Sequence, residues 1–394
     1  MFFGLLRRAL TDGTPELSNL LSCDEVYGVM NKQTVSELCG DILDELSFDN
    51  KELKEEWKIS AYRCMSHFYS YHEFQNDLLS ELNEAGLKTV ILKGSAAASN
   101  YPRPELREMG DIDLLFKPSD FETAAKFFND RGYRILETTP RHICFFKDGF
   151  EVEAHNSMVP LRDGTESAFD KKLFEGFDKI KEKAADNDGE YMFPCFDVTE
   201  NGLVLLEHAR IHMNSGIGFK QILDWWMFAR KEITDDVWNG GFGKATRGLG
   251  LDTLAITMTK LCKDTIGPAD NITWCDSADM ELVETLKEAA FLSGNMGRTD
   301  SADRVRLSLE RKRGFFNILS VLEREGLETW EAAKKHRILR PFAWIYRGLY
   351  YFEALKKDGA ISPDNIIREA EDSKRFQDML SVMNAKRDDE GYYL

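Results

Sequence analysis

Two aspartates, Asp111 and Asp113, alternate with apolar residues in the run 111–116. In a β-strand, side chains two residues apart lie on the same face, and their Cα atoms are about 6.6 Å apart. Two carboxylates at that spacing repel each other unless a cation lies between them. Oxygen ligands on one rigid face suit Mg²⁺, which keeps some waters and uses substrate phosphates for the rest of its shell. The pair therefore predicts a magnesium site.

A third acid is predicted on a hairpin farther along the chain, where an Asp-Gly dipeptide at 148–149 joins two apolar runs. In the second run, Glu151, Glu153 and His155 share one face. If this strand lies beside the aspartate strand, Glu153 supplies a third carboxylate, and Glu151 is the alternative. Three carboxylates can hold two metal ions, which activate an attacking oxygen and stabilise a leaving pyrophosphate. His155 either positions a water, pairs with a carboxylate, contacts substrate or is a structural histidine.

A turn that suits phosphate lies upstream, where the predicted strand 89–92 gives way to the small residues of 95–100. Gly94 lets the backbone approach a phosphate closely. A helix that begins at Ser95 would offer free N–H groups and a hydroxyl to the same phosphate. Lys93 either contacts the phosphate or only flanks the strand.

Four further polar residues have two interpretations each. Arg107 precedes the aspartate strand by a short loop. In one interpretation it neutralises triphosphate charge or bridges to the carboxylates, and in the other it forms a structural ion pair. His208 and His212 are four residues apart and share a helix face. That spacing can bind zinc, but no third ligand is evident, so helix packing or lining of a cleft is favoured. Asp224 either fixes a helix pair or reaches the site.

The hydrophobic pattern divides the chain into three regions. Residues 1–85 and 196–394 repeat apolar positions every three or four residues and predict helices, whereas 86–195 contains short apolar runs that predict strands. The predicted strands are 89–92, 111–116, 133–136, 142–147 and 150–155, and the main predicted helices after residue 195 are 199–213, 217–230, 277–290, 304–324 and 341–357. A loop is expected at 235–243 and loose residues at 387–394. The fold class is α+β: a small mixed β-sheet core flanked by N- and C-terminal α-helical regions.

Bulk composition excludes several classes of protein. The 394 residues carry a formal charge of −17 without a basic stripe, which makes a polynucleotide partner unlikely, although a nucleotide remains possible because bound metal ions supply local positive charge. Seven cysteines without a C-x-x-C pair predict free thiols in a reducing compartment. No run approaches the ~18 apolar residues of a membrane span, and the short apolar start is unlike a signal peptide. We therefore expect a cytoplasmic protein with no membrane partner.

Several strings together resemble the bacterial uncharacterised nucleotidyltransferase family, within the polymerase-beta-like nucleotidyltransferase superfamily. The resemblance covers residues 60–230, and the strings that carry it are Leu92-Lys93-Gly94, Tyr101-Pro102, Arg107, Asp111-Ile112-Asp113-Leu114-Leu115, Gly132-Tyr133 and Val152-Glu153-Ala154-His155. The family's later H-x-x-x-H and aspartate match His208, His212 and Asp224.

This resemblance implies metal binding by Asp111, Asp113 and Glu153 and triphosphate binding at Gly94 and Ser95. It implies an enzyme that uses Mg²⁺ or Mn²⁺ and a nucleoside triphosphate such as ATP. A nucleoside monophosphate would be transferred to an unidentified small-molecule or protein acceptor. The long helical flanks, and a glutamate where the family more often has aspartate, leave two alternatives open. These are a catalytically inactive nucleotide-binding or regulatory module and a toxin–antitoxin component.

Overall fold

The computed structural model describes most of the chain up to residue 294 and a few residues beyond it. The described residues are 1–11, 23–159, 167–213, 216–294, 330, 342, 345 and 379–383. The predicted helix 304–324 and the predicted loose residues 387–394 lie outside this part of the chain, as does all of the predicted helix 341–357 except Phe342 and Ile345.

Helices make up most of the described structure. The α-helices are α1 (Phe2–Leu10), α2 (Asp24–Lys32), α3 (Lys51–Glu84), α4 (Ser95–Ala98), α5 (Phe121–Asp130), α6 (Ala168–Gly176), α7 (Val198–Met213), α8 (Phe219–Glu232), α9 (Asp235–Val237), α10 (Gly243–Leu249), α11 (Asp252–Thr265) and α12 (Met280–Ser293). Short 3-10 helices span Glu37–Glu45, Pro104–Leu106 and Phe177–Lys179, and a π-helix spans Trp238–Phe242. None of the described helices is both long and apolar enough to cross a membrane.

A five-stranded mixed sheet forms the centre, and a two-stranded sheet accompanies it. The strands are β1 (Thr89–Ile91), β2 (Ile112–Phe116), β3 (Arg134–Thr138), β4 (His142–Lys147), β5 (Phe150–His155), β6 (Lys181–Ala184) and β7 (Met192–Cys195). The large sheet has the order β1-β2-β5-β4-β3, in which only β2 and β5 are parallel. This arrangement confirms the predicted α+β class with a small mixed sheet flanked by helices.

The predicted Asp-Gly hairpin joins β4 to β5. Asp148 has a φ of +52° and Gly149 a φ of +94°. Two consecutive positive φ angles are what a two-residue turn needs to match the twist of its strands. The turn fixes the register of the hairpin, in which His142 lies opposite His155.

The two faces of β2 meet different hydrophobic clusters. Ile112, Leu114 and Phe116 pack into a cluster with α3 and α5, whereas Leu115 packs into a cluster with α7 and α8. Because side chains alternate along a strand, Asp113 lies on the same face as Leu115. The polar residues of the sheet are thus placed on the side that the α7 and α8 helices cover.

The long helix α3 covers the other face of the sheet. Asn50 caps its start by accepting from the N–H groups of Glu52 and Leu53, so the polar stretch 51–58 forms its first turns. Phe68, Leu78 and Leu82 belong to its buried side. The helix ends at Glu84, before Gly86 with its φ of +73°.

The N-terminal and C-terminal helices share one hydrophobic cluster. The Phe2 ring centroid of α1 lies 4.9 Å from that of Phe219 in α8 and 5.0 Å from that of Phe291 in α12. These contacts join helices from the first and third of the predicted regions 1–85, 86–195 and 196–394. The division of the chain into three domains therefore stays a prediction. All seven cysteines are buried free thiols.

The structure departs from the sequence predictions at two places. The segment predicted as a loop at 235–243 consists of helical turns interrupted by a kink at Gly241, whose φ of +147° is not helical. Trp238 stacks on Trp274 with ring centroids 4.0 Å apart and packs against Gly243. A Cβ on Gly243 would lie 2.7 Å from the Trp238 indole, so only glycine fits there. The hairpin of β6 and β7 was not predicted.

Candidate active site

Three predicted carboxylates meet at one face of the sheet. The parallel pairing of β2 and β5 places Asp113 directly opposite Glu153. One oxygen each from Asp111, Asp113 and Glu153 lie within 4.8 Å of one another. The alternative acid, Glu151, is exposed, and its Oε1 accepts from the Cys144 thiol at 2.9 Å. The structure thus brings Glu153, rather than Glu151, to the aspartate pair.

Asp113 is the most buried acid of the group, at 2% exposure. Its Oδ1 accepts from Lys93 Nζ at 2.7 Å and from His155 Nε2 at 3.0 Å. Its Oδ2 is buried and has no hydrogen-bond partner among the described residues. A buried carboxylate oxygen without a partner is costly, and a bound cation is one way to satisfy it.

The positive groups around the carboxylates have shifted pKa values. Burial lowers the pKa of Lys93, but the Asp113, Asp111 and Glu153 carboxylates outweigh it, so this pKa lies above its usual range. Burial likewise lowers the pKa of His155, and its hydrogen bonds to Asp113 and Glu153 raise it above normal. Burial raises the pKa of Glu153, but the hydrogen bond from His155 and the charge of Lys93 outweigh burial, so this pKa lies below its usual range. Lys93 and His155 therefore neutralise part of the acidic cluster.

The Gly94 turn lies between β1 and the short helix α4. Gly94 has a φ of +52°, and a Cβ there would lie 2.6 Å from the Tyr71 hydroxyl oxygen. That hydroxyl donates to the carbonyl oxygen of Asp111 at 3.2 Å. Glycine is required at this position both by backbone conformation and by space, and Tyr71 connects α3 to the metal-binding candidates.

The side chain of Ser95 is fully buried beside α3. Its Oγ lies 2.8 Å from Gln75 Oε1 and 3.0 Å from His72 Nε2. The hydroxyl therefore contacts α3, and the predicted phosphate contact through this group would require these hydrogen bonds to break.

Arg107 pairs with Asp224 rather than with the carboxylate cluster. Its Nε donates to Oδ1 at 2.8 Å and its Nη2 to Oδ2 at 2.7 Å, while the Tyr101 hydroxyl donates to Oδ1 at 2.9 Å. Burial lowers the pKa of Arg107, and the Asp224 charge more than restores it. The structural ion pair, one of the two interpretations of Arg107, is present, and it joins the loop before β2 to α8.

The α7 histidines lie near the same site. His208 Nε2 and His212 Nε2 are 2.8 Å apart. Burial, followed by the charge of Lys93, lowers the pKa of His208 and brings that of His212 to about 4. The Asp111 and Asp113 charges oppose this lowering of the His212 pKa. No group of three ligating side chains in the described part of the chain includes either histidine.

Lys220, on α8, is a further charged residue within electrostatic reach of Asp111, and the sequence did not single it out. Burial lowers its pKa, and the nearby Arg107 charge lowers it further, against the opposing effects of Asp224, Glu108 and Asp111. A single lysine on a helix has no spacing pattern that marks it. Its place near the site depends on the packing of α8 against the sheet.

Comparison with known proteins adds one finding to this geometry. Residues 21–267 match the family described as uncharacterised nucleotidyltransferase, which is more than half of the chain. Neither the curated proteins nor the solved structures contain a match. The match extends on both sides of the strings that suggested the resemblance. The chain therefore belongs to the uncharacterised nucleotidyltransferase family, and this membership supports a general role in nucleotidyl transfer.

Proposed function

We propose that this protein transfers a nucleoside monophosphate from a nucleoside triphosphate to an acceptor, with a divalent cation held by Asp111, Asp113 and Glu153. The observation that carries the proposal is the buried, unpartnered Oδ2 of Asp113 within a group of three converging carboxylates. Family membership supports the same reaction class.

The donor set fits Mg²⁺, with Mn²⁺ as a substitute. All three ligands are carboxylate oxygens, which magnesium prefers, and Asp111 and Glu153 are only partly buried, so an ion can reach them. When bound, the ion would orient the α-phosphate and stabilise the charge that develops on it. Lys93 binds Oδ1 of Asp113 and leaves Oδ2 for the cation.

Positive groups beside the carboxylates favour a triphosphate. Lys93 and Lys220 both influence this site, in a chain whose formal charge is −17. Lys220 is partly buried, burial and the Arg107 charge lower its pKa, and a polyphosphate would supply negative charge that favours the ammonium form. The positive φ of Gly94 supports a close backbone approach of the phosphates. Arg107 would act mainly by holding α8, and therefore Lys220, in position.

The acceptor hydroxyl would lie on the α7 side of the carboxylates. Burial keeps His208 and His212 neutral near pH 7, and a neutral imidazole nitrogen can accept a hydrogen bond from an acceptor hydroxyl. Glu153, whose pKa lies below normal, is the second group able to take the proton of that hydroxyl. The acceptor oxygen would form a bond to the α-phosphorus, and pyrophosphate would leave.

Pyrophosphate release, measured for each nucleoside triphosphate with Mg²⁺ and a panel of acceptors that includes the protein itself, tests this function. We expect Asp113→Asn to abolish release while far-ultraviolet circular dichroism stays unchanged. Asp130→Asn is the matched control, because Asp130 is exposed on α5. Retained turnover in Asp113→Asn would overturn the proposal. Triphosphate binding without turnover under any acceptor would instead favour a regulatory module.

A further inference from the structure

A second group of ligating side chains lies on the same face of the sheet. His142 on β4 is paired with His155 on β5, and their ring centroids are 5.1 Å apart. One ring nitrogen from each histidine and one oxygen of Glu153 lie within 4.8 Å of one another. Two imidazoles and a carboxylate are the ligands of many catalytic zinc sites, which keep a fourth position open.

We propose that His142, His155 and Glu153 form a second divalent-cation site, one that selects a transition metal such as Zn²⁺, Co²⁺ or Mn²⁺. Imidazole nitrogen suits these ions, whereas Mg²⁺ prefers oxygen ligands. This site would share only Glu153 with the carboxylate site, and a carboxylate can bridge two cations through its two oxygens. Metal binding here does not depend on nucleotidyl transfer.

Both imidazoles are already oriented by protein groups. His142 Nδ1 lies 3.1 Å from Thr139 Oγ1. His155 Nε2 lies 3.0 Å from Asp113 Oδ1 and 3.1 Å from Glu153 Oε2. Metal-binding histidines are commonly fixed through the ring nitrogen that does not bind the metal, and the Thr139 contact at Nδ1 leaves His142 Nε2 for a cation in this way. A cation bound by His155 and Glu153 would take the place of the proton that now joins them.

A competing group that also uses Glu153 is less suited to a metal. Cys144, Glu151 and Glu153 converge within the same distance limit of 4.8 Å. Burial, and then a hydrogen bond to Glu151, raise the pKa of the Cys144 thiol above its usual range. Its thiol donates to Oε1 of the exposed Glu151 at 2.9 Å, so this group would have to give up that hydrogen bond to bind a cation. The histidine group supplies two nitrogen ligands, which suit a transition metal better, and a cation bound there would displace the proton that His155 Nε2 shares with its carboxylate partners.

Two of the three proposed ligands are partly exposed to solvent. His142 is partly exposed, and the Glu153 side chain is 21% exposed. His155 is more deeply buried, at 7% exposure, and forms the floor of the site.

Titration of the full-length protein with Co²⁺ tests the proposal, because visible absorption reports nitrogen ligands and coordination number. We expect one Co²⁺ ion with a nitrogen-ligand spectrum, bound at least about tenfold more weakly by His142→Gln. His67→Gln is the matched control for adventitious surface binding, because His67 is exposed on α3. Asp111→Asn should keep the same spectrum, since Asp111 belongs only to the carboxylate site.

Equal Co²⁺ affinity in wild type and His142→Gln would overturn the proposal, as would loss of the spectrum in Asp111→Asn. If His142→Gln fails to fold, pulsed electron paramagnetic resonance of the Mn²⁺-loaded wild type decides. Histidine nitrogen couplings would support the site, and their absence would overturn it. Failure of the proposed function shows separately, as a wild type that binds Co²⁺ through histidine but binds no nucleoside triphosphate.

Discussion

Replacing Asp224 by asparagine tests whether Arg107 is a structural clamp. Asp224 is 3% exposed and Arg107 6%, and two short hydrogen bonds join their charged groups. The asparagine side chain would be almost the same size but uncharged, so the change leaves a buried guanidinium without its counterion. Breaking a buried ion pair by removing one partner costs about 3–5 kcal/mol.

The companion variant Tyr101→Phe should lower the free energy of unfolding by a smaller amount. It removes one hydrogen bond to Asp224 and leaves the ion pair, so we expect a loss of about 1 kcal/mol. Urea unfolding followed by circular dichroism measures both changes. With a denaturant slope of about 3 kcal/mol/M, the midpoint of Asp224→Asn falls by about 1–2 M.

Asp236→Asn is the control for the same chemical change at a surface position, since Asp236 is exposed on α9. We expect its free energy of unfolding to stay within about 0.5 kcal/mol of wild type. A loss in Asp224→Asn no larger than that in the control would refute the clamp. Arg107 would then be free to serve as the phosphate contact that the sequence alone allowed.

Three further outcomes are expected. Burial lowers the pKa of His72 to about 4 despite its hydrogen bond to a backbone carbonyl. Between pH ~4 and pH ~6.5 the unfolded chain therefore binds a proton that the folded chain does not. The contribution of His72 to the free energy of unfolding is fully present above pH ~6.5, and about 3 kcal/mol of it is lost as the pH falls toward ~4. His72→Gln should flatten this dependence in thermal unfolding, and an unchanged slope would contradict it. Gly94→Ala should lower the free energy of unfolding in urea by about 1–3 kcal/mol, through backbone strain and the close contact with Tyr71. Adding Tyr71→Phe to this variant should restore part of that loss. No restoration would mean that the strain comes from the backbone alone. Lys220→Met should weaken ATP binding about tenfold or more in calorimetry, since a charged hydrogen bond contributes about 1.5–3 kcal/mol, and unchanged affinity would remove Lys220 from the site.

The strands of the large sheet were predictable because their signals are local. Apolar alternation marked β2, and the Asp-Gly turn marked the β4–β5 hairpin with its register. The β6–β7 hairpin was missed because β6 is the polar run Lys-Glu-Lys-Ala, which has no apolar periodicity. The 3-10 helix Glu37–Glu45 has the predicted helical character, but its tighter winding depends on packing, since Gly40 lies against Leu106 and Ala61.

The candidate site was predictable only where spacing implies proximity. Asp113 and Glu153 meet because β2 and β5 are neighbours, and the sequence pattern does not specify which strands are neighbours. Contacts between elements that are far apart in the sequence could not be predicted from residue spacing. The burial of the Ser95 hydroxyl beside α3 and the approach of Lys220 from α8 both depend on how helices pack on the sheet.

Calorimetric titration of ATP and competing triphosphates, with and without Mg²⁺, tests the central claim most directly. The wild type should bind a triphosphate only when Mg²⁺ is present. The Asp111→Asn/Asp113→Asn variant, checked for folding by circular dichroism, should lose this metal-dependent binding. Equal binding in the variant, or no triphosphate binding by the wild type with Mg²⁺, would contradict a nucleotide site built on these carboxylates.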